Sequence, residues 1–272
     1  MDMIILLLLI QGPGPFNDEV WTATSRDGRA WTVAAAAVAR RASVPGVVEG
    51  NDGALRIYFV DFSGRPGPGE EGLSVIQSKD GAAWSASRRV SIKNKPNKGA
   101  AVDPSIVRLD DGRFRLFYFG SEMTRGDPAS APGPHRIYSA VSSDGVAFEN
   151  EAGVRFEHER ITDPDVVRAG DAWWMFLSAG RETFVARSDD GLKFRRVDLV
   201  IPGGVPGALA VDGGVRVFTC RDGIVSWFWD LKGEPRSEGT AIRRGEGYRI
   251  AADPCALRRA DGSYFMVFKR AR

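Results

Sequence analysis

At 272 residues the chain is long enough for one large all-β domain or two ordinary ones, and 43% hydrophobic and 26% charged residues suit a globular protein with a real core. A net charge of +2 excludes the concentrated basic surface that general nucleic-acid binding needs, and no block of like charges marks an interaction tail. Two cysteines, Cys220 and Cys255, are too few for a disulfide framework and belong to no zinc-spaced cluster. They read as buried free thiols, with one bridge between neighbouring repeats as the alternative.

The chain opens on MDMIILLLLI, an apolar run too short to span a bilayer as a helix. Its length matches the centre of a secretory signal, but its start is acidic and Pro13 and Pro15 crowd the cut site. Residues 1–15 are therefore expected to be a signal peptide or a disordered N-terminus, and a secreted or periplasmic protein is slightly favoured. A mis-assigned start or an apolar edge strand are the alternatives.

From there two motifs alternate. The first is Ser-x-Asp-Gly-x-x-aromatic: Ser25–Trp31, Ser78–Trp84, Ser142–Phe148 and Ser188–Phe194. The second is an apolar strand entered through a proline, a tight turn, and a strand rich in aromatics. It begins at Val44, Asp103, Asp163, Val205 and Asp253, with prolines at 45, 104, 164, 206 and 254. Asp-Gly between two strands is a strong hairpin signal, because glycine adopts the positive φ of the turn. Each repeat thus reads as four strands: A and B joined by one turn, C and D by the box. Self-similarity at such a period marks a propeller or solenoid.

The order of motifs predicts how the ring closes. A box at Ser25–Trp31 has no hairpin before it, and a hairpin at Asp253–Arg270 has no box after it. Together they complete a fifth blade, hiding the edges that a linear array would expose. The expected architecture is a single all-β, five-bladed β-propeller over 16–272, with blades near 44–92, 103–158, 163–201, 205–242 and a composite of 253–272 with 20–38. Blade 4 lacks a clean box, and Asp230 is expected to start a degenerate turn. Trp31, Trp84, Phe148 and Phe194 are expected to anchor the packing between blades.

Geometry then sorts residues by face. Strand A descends from the top, so both Asp-Gly turns of each blade lie at the bottom, and the B–C loops lie on top. Two of these loops are long, Ser63–Gly72 and Ser121–His135, and long loops on a rigid scaffold are where function concentrates. The residues before the strand-A prolines should ring the top of the axis. Asp103, Asp163 and Asp253 are the acids among them, and Asp165 follows one step down the axis. Carboxyls that face one partly dry channel repel, so at least one should keep its proton to higher pH, which yields an acid and a base from one residue type. The alternative is structural: Asp before Pro fixes the strand entry by bonding nearby N–H groups. Calcium is the ion such a cluster would hold if it held one, and no other cofactor is implied.

The five-blade ring, the Asp-Pro strand starts and the Asp-Gly turns resemble the five-bladed glycosidase superfamily, which includes arabinanases, xylosidases, invertases and levansucrases (glycoside hydrolase families 43, 32 and 68). Members carry an Asp at the start of strand A in blade 1 as base or nucleophile, a second Asp in blade 3 that orients and tunes, and a Glu in blade 4 as acid. Here those positions hold Val44, Asp163 and Val205. A rotated register restores the spacing with Asp253, Asp103 and Asp163. That resemblance implies Asp253 as base or nucleophile and Asp163 as acid, with Glu122 and Glu182 as alternative acids. Asp165 on the axis is expected to bind substrate, and Arg125, His135, Arg181 and Arg221 are expected on the top face as further substrate-binding groups, or as solvated surface charge. The boxes resemble the Asp-box of sialidases, a folding device remote from substrate, so Asp27, Asp80, Asp144 and Asp190 are expected to be structural. The expected function is a carbohydrate-active, glycoside hydrolase-like monomer acting on a glycan or small carbohydrate. The alternative is a non-catalytic propeller that binds a glycan or a protein partner. No partnership with nucleic acid and no stable membrane span are expected.

Overall fold

The computed structural model describes residues 15–64, 72–96, 101–120 and 133–271. The expectations placed on residues 1–14 and on most of the two long loops fall outside these. After a short 3-10 turn at Pro15–Asn17 come β1 (Glu19–Ser25), β2 (Thr32–Val33) and β3 (Ala39–Arg40). Blade 1 holds β4 (Ala42–Glu49), β5 (Leu55–Asp61), β6 (Gly72–Ser78) and β7 (Arg88–Arg89), and β8 (Ser91–Lys93) follows it. Blade 2 holds β9 (Ala101–Arg108), β10 (Phe114–Gly120), β11 (His135–Ser142), β12 (Ala147–Asn150) and β13 (Phe156–His158). Blade 3 is β14 (Thr162–Ala169), β15 (Ala172–Ala179), β16 (Glu182–Ser188) and β17 (Arg195–Pro202). Blade 4 is β18 (Gly204–Val211), β19 (Gly214–Cys220), β20 (Gly223–Trp229) and β21 (Arg236–Arg243), and the chain ends on β22 (Ile250–Arg258) and β23 (Tyr264–Ala271).

The protein is a five-bladed β-propeller. Four blades are antiparallel meanders of consecutive strands. The fifth is the composite, in the order β2-β1-β23-β22, where β1 pairs antiparallel with β23 from Glu19↔Arg270 to Ser25↔Tyr264. Blade 2 differs from the simple four-strand expectation. The link out of blade 1 supplies β8, which pairs parallel with β12, and β13 pairs with the upper half of β11. No helix among the described residues is long and apolar enough to cross a membrane.

The core is divided among the gaps between blades, because each sheet presents apolar side chains on both faces. The four boxes fold alike. The serine Oγ accepts the N–H of the box glycine at 2.9 Å for Gly28, Gly81 and Gly145 and 3.0 Å for Gly191. The aspartate Oδ1 accepts the two N–H groups that follow, as Asp144 does from Val146 and Ala147. These backbone donors hold the Asp27, Asp80 and Asp190 carboxyls down at about 2. Each box thereby aims its aromatic at strand B of the preceding blade. Trp31 meets Phe218, Trp84 meets Phe265, Phe148 meets Tyr58 and Phe194 meets Phe117, with ring centroids 6.0, 6.2, 6.3 and 6.0 Å apart. Blade 4 makes the same turn without the serine: Asp230 Oδ1 accepts the N–H groups of Lys232 and Gly233, and Leu231 packs against the blade 3 core in place of an aromatic.

Candidate functional site

All five strand-A prolines, together with Asp103, Asp163 and Asp253, line one small cavity at the top of the axis, about 20 Å³, room for roughly one water. The residue before each proline has left-handed backbone: φ is 49° at Val44, 52° at Asp103, 48° at Asp163, 44° at Val205 and 50° at Asp253. At each of these points the A–B register shifts, so every strand A enters through a bulge. Left-handed backbone is uncommon outside glycine and an outlier for a β-branched residue such as valine. The bulge re-aims the pre-proline side chain at the hub.

One step down, the hub is plugged by Gly46, Ser105, Asp165, Gly207 and Cys255. Two of these must be glycine. A Cβ on Gly46 would sit 2.5 Å from the Pro104 carbonyl oxygen, and one on Gly207 only 1.8 Å from that of Pro254. Below the plug the channel widens into a chamber of about 610 Å³ that opens on the opposite face from the acids. Size does not decide which cavity carries chemistry. The lower chamber is walled by valine, leucine and alanine from the inner strands together with Glu49, Arg108, Asp110, Asp111, Asp165, Arg168 and Arg258, whereas the three pre-proline carboxyls converge above.

Asp103 and Asp253 are buried, at 8% and 5% exposure, and Asp163 is partly exposed. Burial pushes the Asp103 carboxyl up to about 6, further raised by the nearby charge of Asp253 and opposed by the N–H of Asp163, which donates to Asp103 Oδ2 at 3.3 Å. Asp163 is held well above the ordinary carboxylate range by burial and by the charges of Asp103 and Asp253. Thr162 Oγ1 donates to its Oδ2 at 2.5 Å.

Two residues that the repeat logic passed over complete the cluster. Lys269 on β23 places Nζ 2.7 Å from Asp253 Oδ2 and 3.7 Å from Asp18 Oδ2. Asp18, just before β1, also accepts the Ser43 hydroxyl at 2.7 Å. Burial pulls the Lys269 ammonium down, but the charges of Asp253 and Asp18 outweigh it and hold it above the ordinary lysine value. Burial raises the Asp18 carboxyl against the pull of Lys269. A signal for Lys269 lay in the register: the residues opposite Ser43, Val102, Thr162, Gly204 and Ala252 are Val60, Phe119, Ser178, Cys220 and Lys269. One charge in a row of uncharged side chains is an anomaly worth reading.

The remaining candidates lie elsewhere. Asp165 sits in the plug with both oxygens occupied by the fold: Oδ1 accepts the Ser105 hydroxyl at 2.9 Å and Oδ2 the N–H of Ala208 at 2.6 Å. His135, expected on the top surface, is buried at 4% exposure. Its Nδ1 lies 2.8 Å from the Ile161 carbonyl oxygen, and its ring packs on Phe119 at 5.2 Å. The apolar neighbours of β11 draw it inward, and it does not line the hub. Arg181 and Glu182, at the blade 3 B–C turn, and Arg221, at that of blade 4, are exposed on the top face. Glu122 and Arg125 lie outside the described residues. Cys220 and Cys255 are free thiols. Among the described residues no group of three or more acids, histidines or cysteines is arranged to hold a metal ion, and the ammonium of Lys269 already supplies a positive charge beside the acids.

No protein-family model matches the chain, and no curated protein matches it in sequence. Solved structures do share its fold. One is an α-L-arabinanase of Cellvibrio cellulosa complexed with arabinohexaose, at TM-score 0.60 and 16% identity over 84% of this chain and 86% of that one. Another is an inulosucrase of Halalkalicoccus jeotgali bound to kestose, at TM-score 0.61 and 16% identity over 79% and 72% of the two chains. A third is the Bombyx mori GH32 β-fructofuranosidase BmSUC1, at TM-score 0.61 and 16% identity over 82% of this chain but 54% of that one. At such identities the likeness is one of fold, and the fold this chain shares with them is the five-bladed propeller found among glycoside hydrolases.

Proposed function

We propose that the protein is carbohydrate-active and works as a glycoside hydrolase-like enzyme through the three hub aspartates. The observation that carries this reading is the convergence of Asp103, Asp163 and Asp253 on one small cavity at the hub, two of them held toward the protonated form and the third paired with an ammonium. Glycoside hydrolysis asks for such a pair of unlike carboxyls, one to protonate the leaving oxygen and one to activate water or attack the sugar. In this assignment Asp163 is the acid, Asp253 the base or nucleophile, and Asp103, which accepts the N–H of Asp163 at 3.3 Å, tunes the Asp163 carboxyl upward by its charge. Exposed Arg181 and Arg221 stand over the same face as substrate contacts. The fold shared with arabinan- and fructan-directed enzymes supports this choice of substrate class without deciding the sugar.

The test is single substitution of Asp103, Asp163 and Asp253 by Asn, assayed on a panel of glycosides and oligosaccharides. Asp163→Asn and Asp253→Asn are expected to lower kcat by about 10²–10⁴-fold, the range for loss of a positioned acid or base. Turnover equal to that of the parent protein in both variants would refute the assignment. A second reading, a glycan-binding propeller without catalysis, is favoured by the narrowness of the hub cavity and by Val44 and Val205 in the ring. It predicts glycan binding by calorimetry with no hydrolysis by the parent protein.

A further inference from the structure

The buried ammonium of Lys269 is not explained by packing. In the four other blades the same place on strand B holds valine, phenylalanine, serine or cysteine, so the fold does not ask for a lysine there. Its side chain is 16% exposed, and those of its partners Asp253 and Asp18 are 4% and 5% exposed. Enclosing charges is expensive unless each is matched. The groups that face it come from every inner element packed against it: Asp253 from β22, Asp18 from the segment before β1, Asp163 from β14, Asp103 from β9 and the Cys220 thiol from β19. From β4 only the neutral Ser43 enters the group, through Asp18.

This environment is asymmetric. Four carboxyls share one ammonium, and the short approach goes to Asp253. Asp163 receives the Thr162 hydroxyl instead, and Asp103 the N–H of Asp163. Both oxygens of Asp253 are buried and neither meets a hydrogen-bond partner of good geometry among the described residues, so the ammonium 2.7 Å from Oδ2 is the charge that offsets them, and the residue lines the hub cavity.

We propose that Lys269 is a positioning residue that divides the roles of the hub acids: it pairs with Asp253 through Oδ2 and leaves Asp163 and Asp103 without a close cation, a division of charge that sets base against acid. The enzymatic part rests on the glycoside hydrolase reading above. The charge division does not, and it can be measured whether or not the protein turns over a glycan.

The experiment is carboxyl and ammonium titration by NMR on the full chain. With ¹³C-labelled aspartate, Lys269→Met is expected to move the titrations of Asp163 and Asp103 to higher pH by about one unit or more, since an opposite charge at this range shifts a carboxyl by that order. With ¹⁵N-labelled lysine, Asp253→Asn is expected to move the Lys269 titration to lower pH, the reciprocal of the same coupling. The second measurement leaves the lysine in place, so the inference stays testable if Lys269→Met does not fold. Hub titrations unmoved in a folded Lys269→Met, or a Lys269 titration unmoved in Asp253→Asn, would overturn it. On any glycoside the parent protein hydrolyses, Lys269→Met is expected to lower kcat at least 10-fold, to displace the pH profile and to leave KM within about threefold, a pattern that lost stability alone would not give. If the parent protein hydrolyses nothing while both titrations move as described, the hydrolase reading fails and the charge division stands.

Discussion

A single carboxyl, that of Asp165, ties three inner strands together. It takes the Ser105 hydroxyl from β9 and the Ala208 N–H from β18, while Ser105 Oγ accepts the N–H of Val166 beside it. Burial pushes this carboxyl up to about 7, against the pull of those donors. Its folded value lies above the ordinary value near 4, so the folded protein holds a proton there that the unfolded chain has released. The stabilisation from this group is therefore full below about pH 4 and is lost as pH rises through about 7. Asp103 and Asp163 act in the same direction. The parent protein is expected to lose stability between pH 5 and pH 8, and Asp165→Asn, which imitates the protonated carboxyl, to flatten that slope and melt higher than the parent at pH 8. Thermal melts across the range check this, and parallel slopes for the two proteins would refute it. The three Asp-Pro acids were legible in the sequence because they recur in register with the repeat. Lys269 showed only as the odd charge in its row of the repeat, and Asp18 not at all, because it has no counterpart in the repeat and its meeting with Lys269 depends on ring closure between residues 18 and 269.

At the scale of the element, the recurring device is the serine–aspartate turn. Its aspartate satisfies N–H groups that the tight corner would otherwise leave to water, and its glycine has the positive φ the corner needs, 75° at Gly145. Replacing Asp144 by alanine removes the acceptor of the Val146 and Ala147 N–H groups and is expected to cost about 1–2 kcal/mol, as for loss of an N-cap acceptor. Urea unfolding measures it, and the hub titrations at the far face should not change. Phe148, held by that turn, is 2% exposed against Tyr58 of the preceding blade, so its truncation to alanine is expected to cost more, about 3–5 kcal/mol. These turns were readable because their chemistry is local. The extra strands of blade 2 were not. β8 and β13 are three-residue pieces at a sheet's rim, with no alternation to read, and their pairing is set by where the neighbouring blade delivers the chain.

For the whole molecule, the decisive contact is the one between the two ends of the described chain. Seven residues of β1 pair along β23, and without them β23 would present an open edge to any other strand. The seam carries more than backbone bonds. Val20 and Ala23 of β1 are buried at 0% and 1% exposure, each in a different gap between blades. Asp18 also enters the hub from this segment, so closing the ring and completing the acid cluster are one event. The sequence disclosed the closure by its unmatched first box and last hairpin, a matter of order and not of composition. Removing residues 1–26 is therefore expected to yield a protein that self-associates on gel filtration and melts early. A permuted chain should behave otherwise. Glu19 lies opposite Arg270, so a short glycine-rich linker can join residue 271 to residue 15, with new ends opened at the exposed turn of Arg181 and Glu182. That protein keeps every strand pair across the seam and is expected to be monomeric, with a melting temperature within a few degrees of the parent. A truncated chain that stayed monomeric and equally stable would mean that the seam is dispensable and that the blades hold their circle by face packing alone.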